Sequence, residues 1–321
     1  MLATIGEFGG LAGWCRCRRR AGTSKRLDAF SMTAMEASRT AVLVCQGRAA
    51  ADGRIAVGRF ADPVARTMLR DEERVPVDQV RAGRPPAGWA ERVDYEAVRA
   101  GAEVIVPRTI AIDQAVRARA APQLVILGAG LDARAWRMKE LADVEVFEID
   151  HPATQHDKRD RIGDQVPVAG SLRYVPVDFT RDRLDTALAE AGHQPSAATT
   201  WVWEGVVAYL HRPAVAATVA VVSGLSAPGS SLIVNYQSPS VLAGVGRIVA
   251  RAMNASARRR SPWADEPRRS AWTPQAMRRL LSGHGFTVTS DDDLLALARR
   301  CSSPVRHRTS LRTGRIAVAT R

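Results

Sequence analysis

Lysine is nearly missing from this chain: Lys25, Lys139 and Lys158 are its only lysines among 46 basic residues, set against 33 acidic ones for a formal charge of +13. The excess is therefore arginine. It is scattered among acids, with denser groups only at 16–26, at Arg258–Arg260 and between Arg299 and Arg315. A nucleic-acid binder gathers its cations where they displace counterions from phosphates, so this distribution argues against that class. Cysteine is scarce too. Cys15, Cys17, Cys45 and Cys301 form no CxxC pair and meet no histidines at zinc spacing, which argues against a disulfide framework and a structural zinc site and points to a reducing cytoplasm. No apolar run reaches the ~20 residues of a membrane span; the longest, AVAATVAVVSGLSA at 214–227, suits a buried helix. The N-terminus carries its basic cluster after its first apolar residues, the reverse of a secretory signal. Residues 1–30 read as a disordered leader ahead of a natural start near Met32 or Met35.

What is present has the texture of an α/β protein. Aromatics make up 5% of the chain, so alanine, valine and leucine supply the core, as in a sheet covered by helices on both faces. Residues 33–51 read as a helix ending at Asp52-Gly53, and FADPVARTMLRDE at 60–72 as a second, with Asp62 as N-cap and Pro63 at its first position. The proline- and glycine-rich stretch 74–89 reads as a mobile loop, and residues 94–119 as helix on both sides of a kink or break at Pro107. This helical cap spans 31–121. After Pro122 short apolar runs alternate with helical stretches: QLVILG, VEVFEID, SLRYVPVD, TTWVWEGVV and SSLIVNYQ are the strands, closed by GFTVTS at 285–290 and TGRIAVAT at the end. That alternation implies right-handed crossovers and a doubly wound, mostly parallel sheet over 122–321, with a helical insertion near 238–272.

Ligands of such sheets lie beyond the carboxyl ends of the strands. Gly128-Ala129-Gly130 follows the first run, and Asp150, preceded by Glu148, ends the second about 20 residues further on. Asp178 ends the third run and Glu204 the fourth. The third glycine of a dinucleotide loop is lacking, and Asp132 follows the turn directly. A carboxylate there repels a pyrophosphate but suits the ammonium or sulfonium of S-adenosylmethionine (SAM). Asp132 and Asp150 are also placed to do nothing more than cap the helices that follow them. Trp201 and Trp203 alternate with smaller residues and read as core, and His151, His211 and His284 as surface or turn residues.

In order along the chain, GAGLDARAWR, FEIDHPATQHDKR, YVPVDF, TTWVWEGVVAYL and APGSSLIVNYQSPS resemble the signature segments of the leucine carboxyl methyltransferase family, in its bacterial branch of SAM-dependent O-methyltransferases. SRTA, FADP and PRTIAID upstream resemble it too. The resemblance implies a seven-stranded Rossmann-like sheet and a site for SAM. In that site Arg108 would pair with the SAM carboxylate, Gly128 would face the methionine portion, Asp150 would hold the ribose, and Asp178 and Phe179 would contact adenine. Glu204 would lie near the amino group, with Arg48 as a second carboxylate partner. The acceptor implied is a carboxylate or hydroxyl oxygen of a small molecule. A carboxylate needs no base; for a hydroxyl, Tyr209, His211 and Glu204 are the candidates. The alternatives are a methyltransferase directed at tRNA or at a protein carboxyl group, and a SAM-binding protein without catalysis. The acceptor pocket is expected among the N-terminal helices, the loop at 74–88 and the insertion, where Trp263 and Trp272 lie among arginines.

Overall fold

The structure is a computed structural model that describes residues 39–119, 121–179, 181–240 and 268–321. All of them fall in one compact unit of the chain. The expected leader, and the insertion with Arg258–Arg260 and Trp263, lie outside the described residues.

Three helices precede the sheet: α1 (Arg39–Ala51), α2 (Asp71–Ala82) and α3 (Trp89–Arg117). Seven strands follow, β1 (Gln123–Leu127), β2 (Glu145–Asp150), β3 (Ser171–Pro176), β4 (Thr199–Trp203), β5 (Ser231–Gln237), β6 (Thr287–Asp293) and β7 (Gly314–Thr320), in the order β3-β2-β1-β4-β5-β7-β6. β1 to β5 are mutually parallel, and β7 runs against both β5 and β6. The order reverses between β1 and β4, the switch point at which a doubly wound sheet opens a crevice.

Both faces of the sheet are covered, which is why QLVIL is buried at every position. Leu124 and Ile126 point into one core with Leu43 of α1 and Val98 and Val106 of α3; Val125 and Leu127 point into the other. The second core is closed by Leu188 of the helix Leu184–Glu190, Val215 and Val219 of the helix Arg212–Gly224, and Leu281 of a later helix, Pro274–Gly283. Trp201 and Trp203 are fully enclosed there, as their alternation suggested.

Four local expectations are corrected. Residues 63–69 form turns rather than a helix: Asp62 does accept from the Ala65 N–H (3.0 Å), but its other oxygen faces buried arginines. The stretch read as a mobile loop is helical to Ala82, through Pro76. α3 runs unbroken through Pro107. The sixth strand starts two residues late and runs on to Asp293, because its acidic end is neutralised across the ladder, where Arg315 binds Asp291 at 2.9 Å.

Candidate functional site

Adjacent strands β2, β1 and β4 deliver Asp150, Gly128 and Glu204 to one edge of the sheet, and a cavity of about 250 Å³ opens there. The turn after β1 is tied to β2: the Gly128 and Ala129 N–H groups both donate to the Ile149 carbonyl (2.8 and 3.0 Å), and the Gly130 N–H donates to Asp150 Oδ2 (2.6 Å). Gly128 has φ +71°, and a Cβ there would stand 2.4 Å from Val206 Cγ2. Glycine is required on both counts. Val206 lies just past β4 and is itself part of the cavity wall.

Helix α1 closes the opposite side. Ala41, Val44 and Arg48, spaced three and four apart, present one helical face to the cavity. Ala41 sits close enough to the turn that a Cβ on Gly130 would lie 3.0 Å from its own. That spacing was visible in the sequence, but the helix reads there as generic, since an alanine-rich run offers an apolar face in most directions.

The charges of the site form one connected chain. Arg108, from α3, meets Glu204 Oε1 at 2.6 Å, and Arg134 donates to Glu204 Oε2 at 2.9 Å. Arg134 also holds Asp113 (2.8 Å) and Asp132, and Arg137 binds Asp113 (2.6 Å). Arg137 and Arg48 both face Asp62, at 3.5 and 3.4 Å, and Arg48 donates to the Leu131 carbonyl at 2.5 Å. Four arginines thus balance four carboxylates. Burial alone would raise the Glu204 carboxyl, but Arg108 and Arg134 overcome it and hold it below the ordinary range. Burial acts likewise on Asp132 and is outweighed, chiefly by Arg134, so that its pKa falls to about 2. Asp132 is therefore a neutralised wall residue rather than an open carboxylate; it also accepts from the Arg134 N–H (2.7 Å) at the start of the short helix Arg134–Arg137, whose N-cap is Ala133.

Asp150 differs. Among the described residues no cation forms an ion pair with it; the Gly130 and His151 N–H groups (2.6 and 2.7 Å) are its partners, and burial raises its pKa in spite of them. Behind it, burial pushes the Glu148 carboxyl up to about 7 although Lys158 lies 2.5 Å away.

The cavity thus brings together Arg48, Arg108, Gly128, Asp150, Glu204 and Tyr209. Phe179 lines it as well and keeps 47% of its surface exposed. Asp178 and His211 are not on its wall: Asp178 pairs with Arg181 (2.9 Å), and His211 Nε2 lies 2.8 Å from Arg269 Nη1, so it must accept that bond. The sequence does not single out Arg134, because two of its three acidic partners, Asp113 and Glu204, stand 21 and 70 residues away.

The model of a family described as Leucine carboxyl methyltransferase matches residues 41–223. The chain belongs to that family. Among its relatives, the "Putative S-adenosyl-L-methionine-dependent methyltransferase YktD" of Bacillus subtilis is 32% identical over 182 residues, 54% of this chain and 58% of that protein. SCO7813 of Streptomyces coelicolor, named in the same words, is 34% identical over 188 residues, 58% of this chain and 62% of that protein. The match thus spans about three fifths of the length of these relatives. A DUF574 family protein from Streptomyces avermitilis shares the fold, at 13% identity and a TM-score of 0.50 over 89% of this chain and 98% of its own. No helix among the described residues is long and apolar enough to cross a membrane.

Proposed function

We propose that this protein is a SAM-dependent methyltransferase that methylates a carboxylate or hydroxyl oxygen of a small molecule. The observation that carries the reading is the meeting of a glycine turn, a half-buried carboxylate held by two backbone N–H groups and an Arg–Glu pair around one cavity at the switch point of the sheet. Names of relatives in the family support it.

The residues suit SAM end by end. Arg108 and Arg48 offer guanidinium groups to its carboxylate and Glu204 an anion to its ammonium. Asp150, with lone pairs beyond those its two backbone donors use, accepts from ribose hydroxyls. Phe179 offers a ring face to adenine, and Asp178 beside it, paired with Arg181, stands off the cavity wall. When bound, SAM supplies an electrophilic methyl group on a positive sulfur. The chain's part is alignment and exclusion of water, which α1 and Val206 serve by walling the cavity.

Glu204, committed to two guanidiniums and held ionised, is a poor proton acceptor. His211 lies off the wall with its acceptor nitrogen turned to Arg269. Tyr209 is the candidate that remains on the wall to meet an acceptor hydroxyl; a carboxylate acceptor needs no base. The test begins with calorimetric titration of S-adenosylhomocysteine into the full chain. Wild type should bind, and Asp150→Ala should weaken binding about tenfold or more, the loss of a charge-assisted hydrogen bond. Absence of binding by the wild type, or an unaltered Asp150→Ala, defeats the reading. Labelled methyl groups from SAM, transferred to a small-molecule extract, then separate esters from ethers: only an ester releases methanol in alkali.

A further inference from the structure

Arg134 is almost wholly enclosed, 1% exposed, and is absent from the cavity wall. It nevertheless touches the wall through Glu204, while its Nε and Nη1 are anchored on Asp113 and Asp132. Glu204 thus has two cationic partners of different kinds. Arg108 stands on the wall, where a ligand carboxylate competes for it. Arg134 stands behind the wall, fastened by two other carboxylates at fixed angles that only the planar guanidinium fork serves at once.

We propose that Arg134 is a positioning residue: it fixes Glu204 by Oε2, so that when Arg108 turns to a ligand carboxylate, Glu204 stays at the wall with Oε1 free for a ligand ammonium. Asp113 completes the device from α3, since it orients Arg134 and is itself held by Arg137 at 2.6 and 3.0 Å. Recognition of an amino-acid zwitterion is thereby built from a residue the ligand never meets. Without the buried anchor, Arg108 and Glu204 would satisfy each other and leave both ends of the zwitterion unclaimed. The inference rests on the reading that the cavity takes the amino-acid end of SAM.

The test compares two ligands, S-adenosylhomocysteine and 5′-methylthioadenosine, which lacks the amino-acid end. Arg134→Lys keeps the charge but not the fork. It should raise the Kd for S-adenosylhomocysteine about tenfold or more and leave that for methylthioadenosine within about twofold. Glu204→Gln should show the same selectivity, and the double variant should lose no more than Glu204→Gln alone, because Arg134 acts through Glu204. Equal losses for both ligands, or additive losses in the double variant, reduce Arg134 to a structural role and overturn the proposal. Where Arg134→Lys does not fold, Asp113→Asn loosens the same anchor and should give a smaller shift with the same selectivity; an Asp113→Asn protein that discriminates like wild type overturns it equally. A wild type that binds neither ligand defeats the SAM reading itself. One that binds both with equal affinity leaves that reading standing and defeats only this one.

Discussion

Gly128 carries two constraints that a substitution can separate. Its φ of +71° penalises any L side chain by about 1 kcal/mol or more, and its Cβ position lies 2.4 Å from Val206 Cγ2. Gly83, in the left-handed region at φ +64° with nothing within 4 Å of its Cβ position, carries only the first. Gly83→Ala should therefore lower stability by about 1 kcal/mol and leave S-adenosylhomocysteine affinity unchanged. Gly128→Ala should cost about 2–3 kcal/mol and, by pushing Val206 into the cavity, weaken that affinity about tenfold or more. Urea midpoints and calorimetry on the two variants read both quantities, and matching results would show that Val206 is not what the glycine protects. At this scale the sequence displayed positions more readily than partnerships. Asp150 and Glu204 announce themselves by ending apolar runs, a local pattern. That Glu204 is shared by Arg108 and Arg134 depends on three segments meeting, with 96 and 70 residues of chain between each arginine and the acid, and no spacing encodes it.

Elements were legible where one signal stood alone. The central strands β1, β4 and β5 are apolar runs bounded by turn residues and buried almost throughout, so their texture survives without alternation, whereas the edge strand β3 is mostly half-buried or exposed. α2 was hidden by Pro76 and by the glycine and prolines that follow it. Its start is nonetheless well specified: Asp71, Glu72 and Glu73 fill the first turn, and Glu73 Oε2 accepts from the Arg70 N–H at 2.8 Å. Tertiary contacts then hold it in place. Arg161, from the helix Pro152–Ile162, donates to Glu73 at 2.6 Å, to the Met68 carbonyl and to buried Asp157. Gln46 of α1 donates to the Glu73 carbonyl at 2.8 Å. Pro76 is therefore a tolerated defect, since proline inside a helix lacks the N–H that would reach the carbonyl four residues back. Pro76→Ala restores that bond, worth up to ~3 kcal/mol in an isolated helix and reduced by the flexibility it returns to the unfolded chain. A net gain of about 1 kcal/mol in urea unfolding is expected. A loss would mean that the helix depends on the ring for packing.

Across the whole molecule the arginine surplus coexists with a balanced interior. Arg48, Arg108, Arg134 and Arg137 face Asp62, Asp113, Asp132 and Glu204 in one connected chain from α1 to β4. The buried ion chain of the described residues therefore adds nothing to the +13 of the full sequence, and the site is close to neutral and open to a ligand that brings both signs. Such a chain of buried pairs is stable only while its acids are ionised, because protonating one strands a buried guanidinium. Asp132 titrates at about 2 in the folded protein, and Asp113 and Glu204 are also depressed. For a carboxylate lowered on folding, the unfolded chain binds more protons between the two pKa values, so stability is full above the unfolded value near 3.9 and is lost as pH falls towards 2. Asp132 alone contributes about 2 kcal/mol through this window. Glu148, raised by burial to about 7, has the opposite sign: its contribution weakens stability as pH rises from about 4 towards 7. The two windows barely overlap, so the acid limb isolates the ion chain. Asp132→Asn should therefore be less stable than wild type at pH 7 yet lose less on going from pH 4 to pH 2.5, so that the two urea midpoints converge as acid is added. Midpoints that stay parallel over that range would show that Asp132 is not held by Arg134 in solution.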